Sequence, residues 1–356
     1  MTPPTSTPTS TPAQPKKSHR ARRMVIQVIG LAAGLASLGW CVSMAFRPEN
    51  KDQWSRLADA PMSLILAVLG CSAGTLIING LVFWITLRPA RRLRVLDVQA
   101  VNAVSTFLGY LPLKLGAVAR VLIHRRRDHV PLPMIGAWFA AVAVIMSASF
   151  TPPIATVMAL KRMDATWAVL TFVLTLAAAI IVVLVARGFR GRVGLDRLIR
   201  LLHALRLGRA ERLLRSGAWG NLHAGFDMLA SPASVGSAML LRASDVACHT
   251  ARFVVAAHIF GLNPPLHQAV PIALVFYLLS VVSPSGAAGL REGAATGIAA
   301  VLLASAGTTA DVARQYAPVA LFITGTEAVV YLVGGALGIA WLRPDRLLRL
   351  KAPASA

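Results

Sequence analysis

Apolar runs long enough to cross a lipid bilayer recur along the chain. A hydrocarbon core about 30 Å thick takes about 20 helical residues, and segments 24–46, 61–87 and 167–186 reach that length without a single charge. Segments 133–160, 236–260 and 316–342 are also long enough, although each is interrupted by Pro, polar or charged residues. Six transmembrane helices are therefore expected. The first run exceeds the roughly 7 to 15 apolar residues of a signal peptide and is not followed by a small-residue cleavage site, so it reads as a retained anchor. Two further stretches, 101–123 and 268–306, are only moderately apolar and carry helix breakers.

Composition agrees with that pattern. Apolar residues make up 56% of the chain and charged residues 14%, against roughly a quarter charged in soluble domains. This excludes a water-soluble globule, and it excludes disorder except at the ends. Three cysteines, Cys41, Cys71 and Cys248, all lie in apolar stretches, which fits inert thiols and excludes a disulfide scaffold. Trp40 before Cys41 is too bulky for a lipoprotein signal.

The net charge of +22, from 36 Lys plus Arg against 14 Asp plus Glu, suggests nucleic acid until its distribution is examined. Residues 1–23 form a Pro, Ser and Thr rich tail ending in Lys16, Lys17, Arg20, Arg22 and Arg23, expected to be disordered and cytoplasmic. Together with 88–94, 125–127, 187–215 and 343–351, this tail holds 25 of the 36 basic residues. The alternate loops hold six: Arg47, Lys51, Arg56, Lys161, Arg162 and Arg314. The asymmetry is that of a membrane topology with both termini in the cytoplasm, and no nucleic-acid partner is expected. Segment 187–220 interleaves Arg with Leu195, Leu198, Leu201, Leu202 and Leu205, as an amphipathic helix lying on the anionic cytoplasmic leaflet would.

This orientation decides the two weaker stretches. Basic segments on both sides of 101–123 are cytoplasmic, so that stretch cannot cross. Gly109, Pro112, Lys114, Gly116 and Arg120 make it a re-entrant hairpin from the inner side. Stretch 268–306, broken by Ser283, Pro284, Ser285, Gly286, Gly289, Arg291 and Glu292, is by the same logic a re-entrant hairpin from the outer side. The expected fold is an all-α integral membrane protein of eight membrane segments: six full spans and two hairpins. Residues 24–160 and 165–342 form inverted halves of one membrane domain, and 343–356 a cytoplasmic tail. Inverted repeats with broken helices meeting near the midplane are a common way for transporters to build a site that either face can reach.

The two hairpins carry a resemblance. NAVSTFLGYLPLKLGAVAR, from Asn102 to Arg120, resembles the Asn, Pro, Gly, Arg motif of the lysylphosphatidylglycerol synthase membrane-region family, also called flippase-like. SPSGAAGLREGA, from Ser283 to Ala294, resembles its Pro, Gly-rich, Arg-Glu-Gly motif. The sequence departs at Lys114 and Ala117, where many relatives carry Gly and an acidic residue. The resemblance covers about residues 24–342. It implies a bacterial inner-membrane protein that moves a lipid or lipid-linked molecule between leaflets. With only 14 residues after Leu342, it also implies a member without the soluble aminoacyl-transferase domain, and no lipid lysylation by this chain.

Charges inside membrane segments are functional candidates because each costs several kcal/mol unless paired or hydrated. Here they are Lys114, Arg120, Arg242, Arg252 and Arg291, with Asp245, Glu292 and Glu327. An excess of cations suits a phosphate-bearing or otherwise anionic head group, contacted by Arg and by free amides at hairpin helix ends. The substrate-binding candidates are Asn102, Pro112, Lys114, Gly116, Arg120, Arg252, Pro284, Gly286, Gly289 and Arg291. The alternative for Arg291 is a pair with Glu292 or Glu327 that only fixes the hairpin.

Arg242, Asp245, His249 and Arg252 fall within about an 80° wedge at 100° per residue, one polar stripe that should face the other half. The alternative for Arg242 is snorkelling at the cytoplasmic interface. Glu292, Asp245, Glu327 and His249 are the proton-coupling candidates, and Glu292 is favoured because it lies on a broken helix. No nucleotide loop, paired-Cys metal site or nucleophile motif occurs, so neither a cofactor nor a metal is expected, and the chain is read as a transporter rather than an enzyme. Two other classes fit the residues less well. An intramembrane enzyme would use Ser283 and Ser285 beside Arg291 and Glu292, residues that Pro284 and the glycines explain better as a loop. An accessory subunit of a lipid or cell-envelope biosynthesis complex would tolerate loss of the buried charges.

Overall fold

The computed structural model describes residues 17–111, 115–204, 224–282, 290–303 and 309–343. Pro112 and Lys114 of the first motif lie outside the described residues, as do Ser283, Pro284, Ser285, Gly286 and Gly289 of the second. So do 205–223, within the Arg-rich segment, and both chain ends.

Every element among the described residues is helical. In order these are α1 (Lys17–Ala45), a 3-10 turn (Pro48–Asn50), α2 (Lys51–Ala58), α3 (Met62–Leu87), α4 (Val95–Leu108), α5 (Leu115–Arg126) and α6 (Leu132–Leu160). There follow α7 (Ala165–Gly188), α8 (Gly191–Ala204), a short helical stretch at 224–229, α9 (Pro232–Ile259), α10 (Leu266–Val282), α11 (Leu290–Leu303) and α12 (Thr309–Leu342). Helix α1 starts at Lys17, so the basic residues Lys17, Arg20, Arg22 and Arg23 are helical rather than part of a disordered tail.

Local chemistry sets several of the boundaries. The Asp164 side chain accepts from the Trp167 backbone N–H at 3.0 Å and caps α7. Ser231 caps α9 in the same way at 3.3 Å, with Pro232 at the first helical position, where its missing N–H costs nothing. Helix α6 stops at Lys161, whose φ of 52° is left-handed.

Among the described residues four helices are long and apolar enough to cross a membrane: Met62–Leu87, Leu132–Leu160, Ala165–Gly188 and Asp311–Leu342. Helix α9 has 28 residues but carries Arg242, Asp245 and Arg252. Helices α4 and α5, of 14 and 12 residues, pack against each other, as do α10 and α11, of 17 and 14. At 1.5 Å per residue each of these four is shorter than a bilayer core.

Helix α3 packs along α9 at the centre, α4 along α12, and α10 along α6. Helix α7 leans on α6 and touches α9 more lightly, so Phe172, Val173, Ile180 and Ile181 are exposed. The burial pattern is the reverse of a soluble protein's. Large apolar side chains face outward while Arg242, Arg252, Arg291, Asp245, Glu292 and Glu327 are buried, an arrangement suited to lipid outside and polar pairing inside.

The close approach of α4 and α12 rests on glycine. A Cβ at Gly338 would lie 2.7 Å from the Ala100 carbonyl oxygen, and one at Gly335 would lie 2.8 Å from the Phe107 Cβ. Gly338→Val is therefore expected to cost about 1–3 kcal/mol by overpacking. A lowered thermal midpoint in detergent checks it; an unchanged midpoint would mean that the two helices separate freely.

Candidate functional site

A cavity of about 500 Å³ lies among α3, α4, α5 and α6 on one side and α9, α10, α11 and α12 on the other. Its wall carries Asn79, Ser105, Tyr110, Arg120, Arg242, Tyr277, Arg291, Glu327 and Tyr331, with Phe83, Phe139 and Met146 as apolar surface. The apolar surface comes from α3 and α6, whereas α9 to α12 contribute only Arg, Glu and Tyr side chains.

Glu327, on α12, is the hub of one side. It pairs with Arg252 of α9, and Arg291 of α11 donates Nη1 to its Oε2 at 2.6 Å. Arg291 also donates Nε to Glu292 at 2.7 Å and Nη2 to the Tyr110 hydroxyl at 2.9 Å. That hydroxyl in turn donates to Glu327 at 3.0 Å, tying the end of α4 to the second half. Thr324 donates to Glu292 Oε1 at 2.6 Å. The Arg291 guanidinium also lies over the rings of Phe276 and Tyr110, at 4.7 and 5.1 Å.

The stripe on α9 is buried throughout and faces the bundle interior. Arg242 donates to Asp245 at 2.7 Å, to Asn79 Oδ1 at 2.9 Å and to the Tyr277 hydroxyl at 3.3 Å. It is on the cavity wall with 1% of its surface exposed, so it does not snorkel. Arg252 donates to His249 Nδ1 at 3.0 Å, which leaves the imidazole proton on Nε2, facing Asp245 Oδ1 at 3.5 Å. At that distance the imidazole and the carboxylate are neighbours rather than a hydrogen-bonded pair.

Arg120, on α5, has a different environment. It donates to Asn102 Oδ1 at 2.6 Å and its guanidinium lies 3.8 Å from the centre of the Phe83 ring. Asn102 also accepts from Asn79 at 3.0 Å, so two amides link the guanidiniums of Arg120 and Arg242 and orient both. Arg120 is buried and has no carboxylate partner among the described residues. Among the described residues four buried Arg thus face three buried carboxylates, and the one without a carboxylate partner there is on the cavity wall. Ser105 Oγ, on the same wall, has no hydrogen-bond partner among the described residues.

Of the expected site residues, Gly116, Arg120, Arg291 and Glu327 line the cavity, Asn102 holds Arg120, and Arg252 reaches it only through Glu327. Gly116 acts by allowing close approach: a Cβ there would run into the Ser105 carbonyl and the Gly109 backbone. Arg242, Asn79, Tyr110, Tyr277 and Tyr331 were absent from the expected binding set. Only Arg242 carried a sequence signal, its place in the stripe.

The family model for the lysylphosphatidylglycerol synthase TM region matches residues 27–335. The chain belongs to this family. As a lysylphosphatidylglycerol synthase TM-region protein with several long apolar helices, it is a multi-pass membrane protein. The family match spans α3 to α11 entirely and so contains the helix pairs α4–α5 and α10–α11 and every cavity residue named above. No curated protein and no solved structure matches the sequence.

Proposed function

We propose that this protein is a flippase-like transporter, without catalytic activity, that moves an anionic or phosphate-bearing lipid between the leaflets of a bacterial inner membrane. One observation carries the reading: a cavity between the two sets of helices with a buried, carboxylate-free Arg120 on its wall. A buried guanidinium lacking a counter-ion is costly, and an anionic head group supplies one with charge-assisted hydrogen bonds.

The chain then has six crossings and two re-entrant hairpins, α4–α5 from the cytoplasm and α10–α11 from outside, with both termini cytoplasmic. Helix packing supports the inverted repeat. Exchanging α1, α3, α4, α5 and α6 for α7, α9, α10, α11 and α12 turns α4 on α12 into α10 on α6, α3 on α12 into α9 on α6, and α1 on α12 into α7 on α6. The contacts of α1 with α11 and of α7 with α9 do not follow that exchange. Helix α8, amphipathic and Arg-bearing, would lie on the anionic inner leaflet. Labelling of introduced cysteines from outside is expected to reach positions beside Asp52 and Asp311 and to miss those beside Arg92 and Arg126. External labelling at Arg126 would make the first hairpin an ordinary crossing.

The test of transport is movement of a fluorescent anionic lipid in vesicles holding the purified protein. An enzyme or an accessory subunit would leave the lipid where it was. Arg291 bridges Glu292 and Glu327, and Glu292, a buried carboxylate on the broken helix, is assigned the coupling role in this reading. Lipid movement is then expected to depend on a pH gradient, and Glu292→Gln to abolish the dependence while sparing passive exchange. Unchanged dependence in the variant would exclude Glu292 as the coupling acid.

A further inference from the structure

A second cavity, of about 580 Å³, lies among α6, α7, α9 and α10, apart from the charged one. No charged side chain lines it. A thin apolar layer separates the two: Met146 and Tyr277 line the first, Val270 and Trp167 line the second, and all four belong to one cluster.

The shape is elongated. Along α9 the wall runs from Met239 to Val255, about 24 Å at 1.5 Å per residue, longer than the roughly 15 Å that one leaflet contributes to the hydrocarbon core. The α9 side of the groove is accessible because Ala243, Ala247 and Ala251 are exposed there. Opposite them stand Thr171 and Thr175 of α7.

Two polar atoms in this greasy groove are unsatisfied. Trp167 Nε1 and Thr250 Oγ1 are buried and have no hydrogen-bond partner among the described residues. An indole N–H only donates, so the group missing at Trp167 is an acceptor, and the Thr250 hydroxyl has a proton to give to the same kind of group. The absence of charge in the lining excludes a phosphate or carboxylate as that acceptor, because desolvating an uncompensated anion is prohibitive. A neutral carbonyl attached to a long apolar chain meets both demands.

We propose that this second cavity is a lipid-tail site that holds one acyl chain of a glycerolipid, with the chain's ester carbonyl accepting from Trp167 Nε1 and the Thr250 hydroxyl. It rests on the chain being membrane-embedded and not on transport, so failure of the transport assay leaves it standing.

Photo-crosslinking tests it. The full chain is reconstituted in phosphatidylcholine vesicles containing a phosphatidylcholine with a diazirine on one acyl chain, irradiated, digested and mapped by mass spectrometry. Adducts are expected to concentrate on Thr171, Thr175, Ala247 and Ala251, above the lipid-facing Phe172, Val173 and Ile180. Ala247→Trp, a substitution at an exposed position, should remove the groove adducts and leave the outer ones. Trp167→Phe should lower groove labelling about fivefold, the effect of one net hydrogen bond. Phosphatidylglycerol with the same probe should label the groove equally. Equal labelling of groove and outer face, or no effect of Ala247→Trp, would overturn the proposal in favour of annular lipid alone. Crosslinks between the α9 helices of two copies would overturn it in favour of a helix-docking surface.

Discussion

Replacing Glu327 by Gln is expected to destabilise the protein by about 3–5 kcal/mol, the cost of breaking a buried ion pair from one side only. The carboxylate is buried and serves Arg252 and Arg291 together, with the Tyr110 hydroxyl as a third donor. A neutral amide offers one acceptor oxygen where two guanidiniums converge, and it removes the charge that both need. Glu327→Gln combined with Arg252→Met should recover part of the loss, because Arg291 then keeps Glu292 and no second cation is stranded. Thermal or denaturant unfolding in detergent measures both. A loss below about 1 kcal/mol for the single variant would mean that water reaches and solvates the pair, as at exposed sites.

Arg120→Gln is expected to behave in the opposite way: folding is largely retained and head-group recognition is lost. Arg120 pairs with no described carboxylate, so its removal strands no charge, and Gln can still donate to Asn102. Affinity for an anionic lipid should fall by about 1.5–3 kcal/mol, roughly 10- to 150-fold, as when a charged hydrogen bond is removed. A neutral lipid should bind nearly as before. Arg120→Lys should restore part of the binding, since the charge returns without the planar stack on Phe83. Lipid binding in detergent, read by native mass spectrometry against the unfolding midpoint, separates the two effects. Equal loss for anionic and neutral lipid would indicate a role in holding the α4–α5 hairpin. Arg291 is a poorer probe because it holds Glu292, Glu327 and Tyr110 at once, so its loss mixes binding with folding.

The apolar runs, the end of α4 at Gly109 and the stripe from Arg242 to Arg252 were legible in the sequence. Each is a local property: a run length against a bilayer thickness, a Pro or Gly against a helix, an angular offset of 100° per residue. Family membership was legible for a related reason, since the two hairpin motifs are contiguous strings. The boundaries of α1 and α12 were read less well, because polar first turns such as that at Lys17 or Asp311 resemble the loops that precede them.

What only the tertiary structure decided is which charge meets which. Glu327 lies 75 positions from Arg252 and 36 from Arg291 along the chain, and no periodicity links them. The hydroxyl of Tyr110 and the amide of Asn79 are unremarkable in apolar surroundings until packing brings them to Arg291 and Arg242. The sequence by itself determined that buried cations outnumber buried anions. That the unmatched cation is Arg120, facing a cavity rather than a carboxylate, follows from the packing of α5 against α4, because a side chain's partner is set by where distant helices place it and not by its neighbours in the chain.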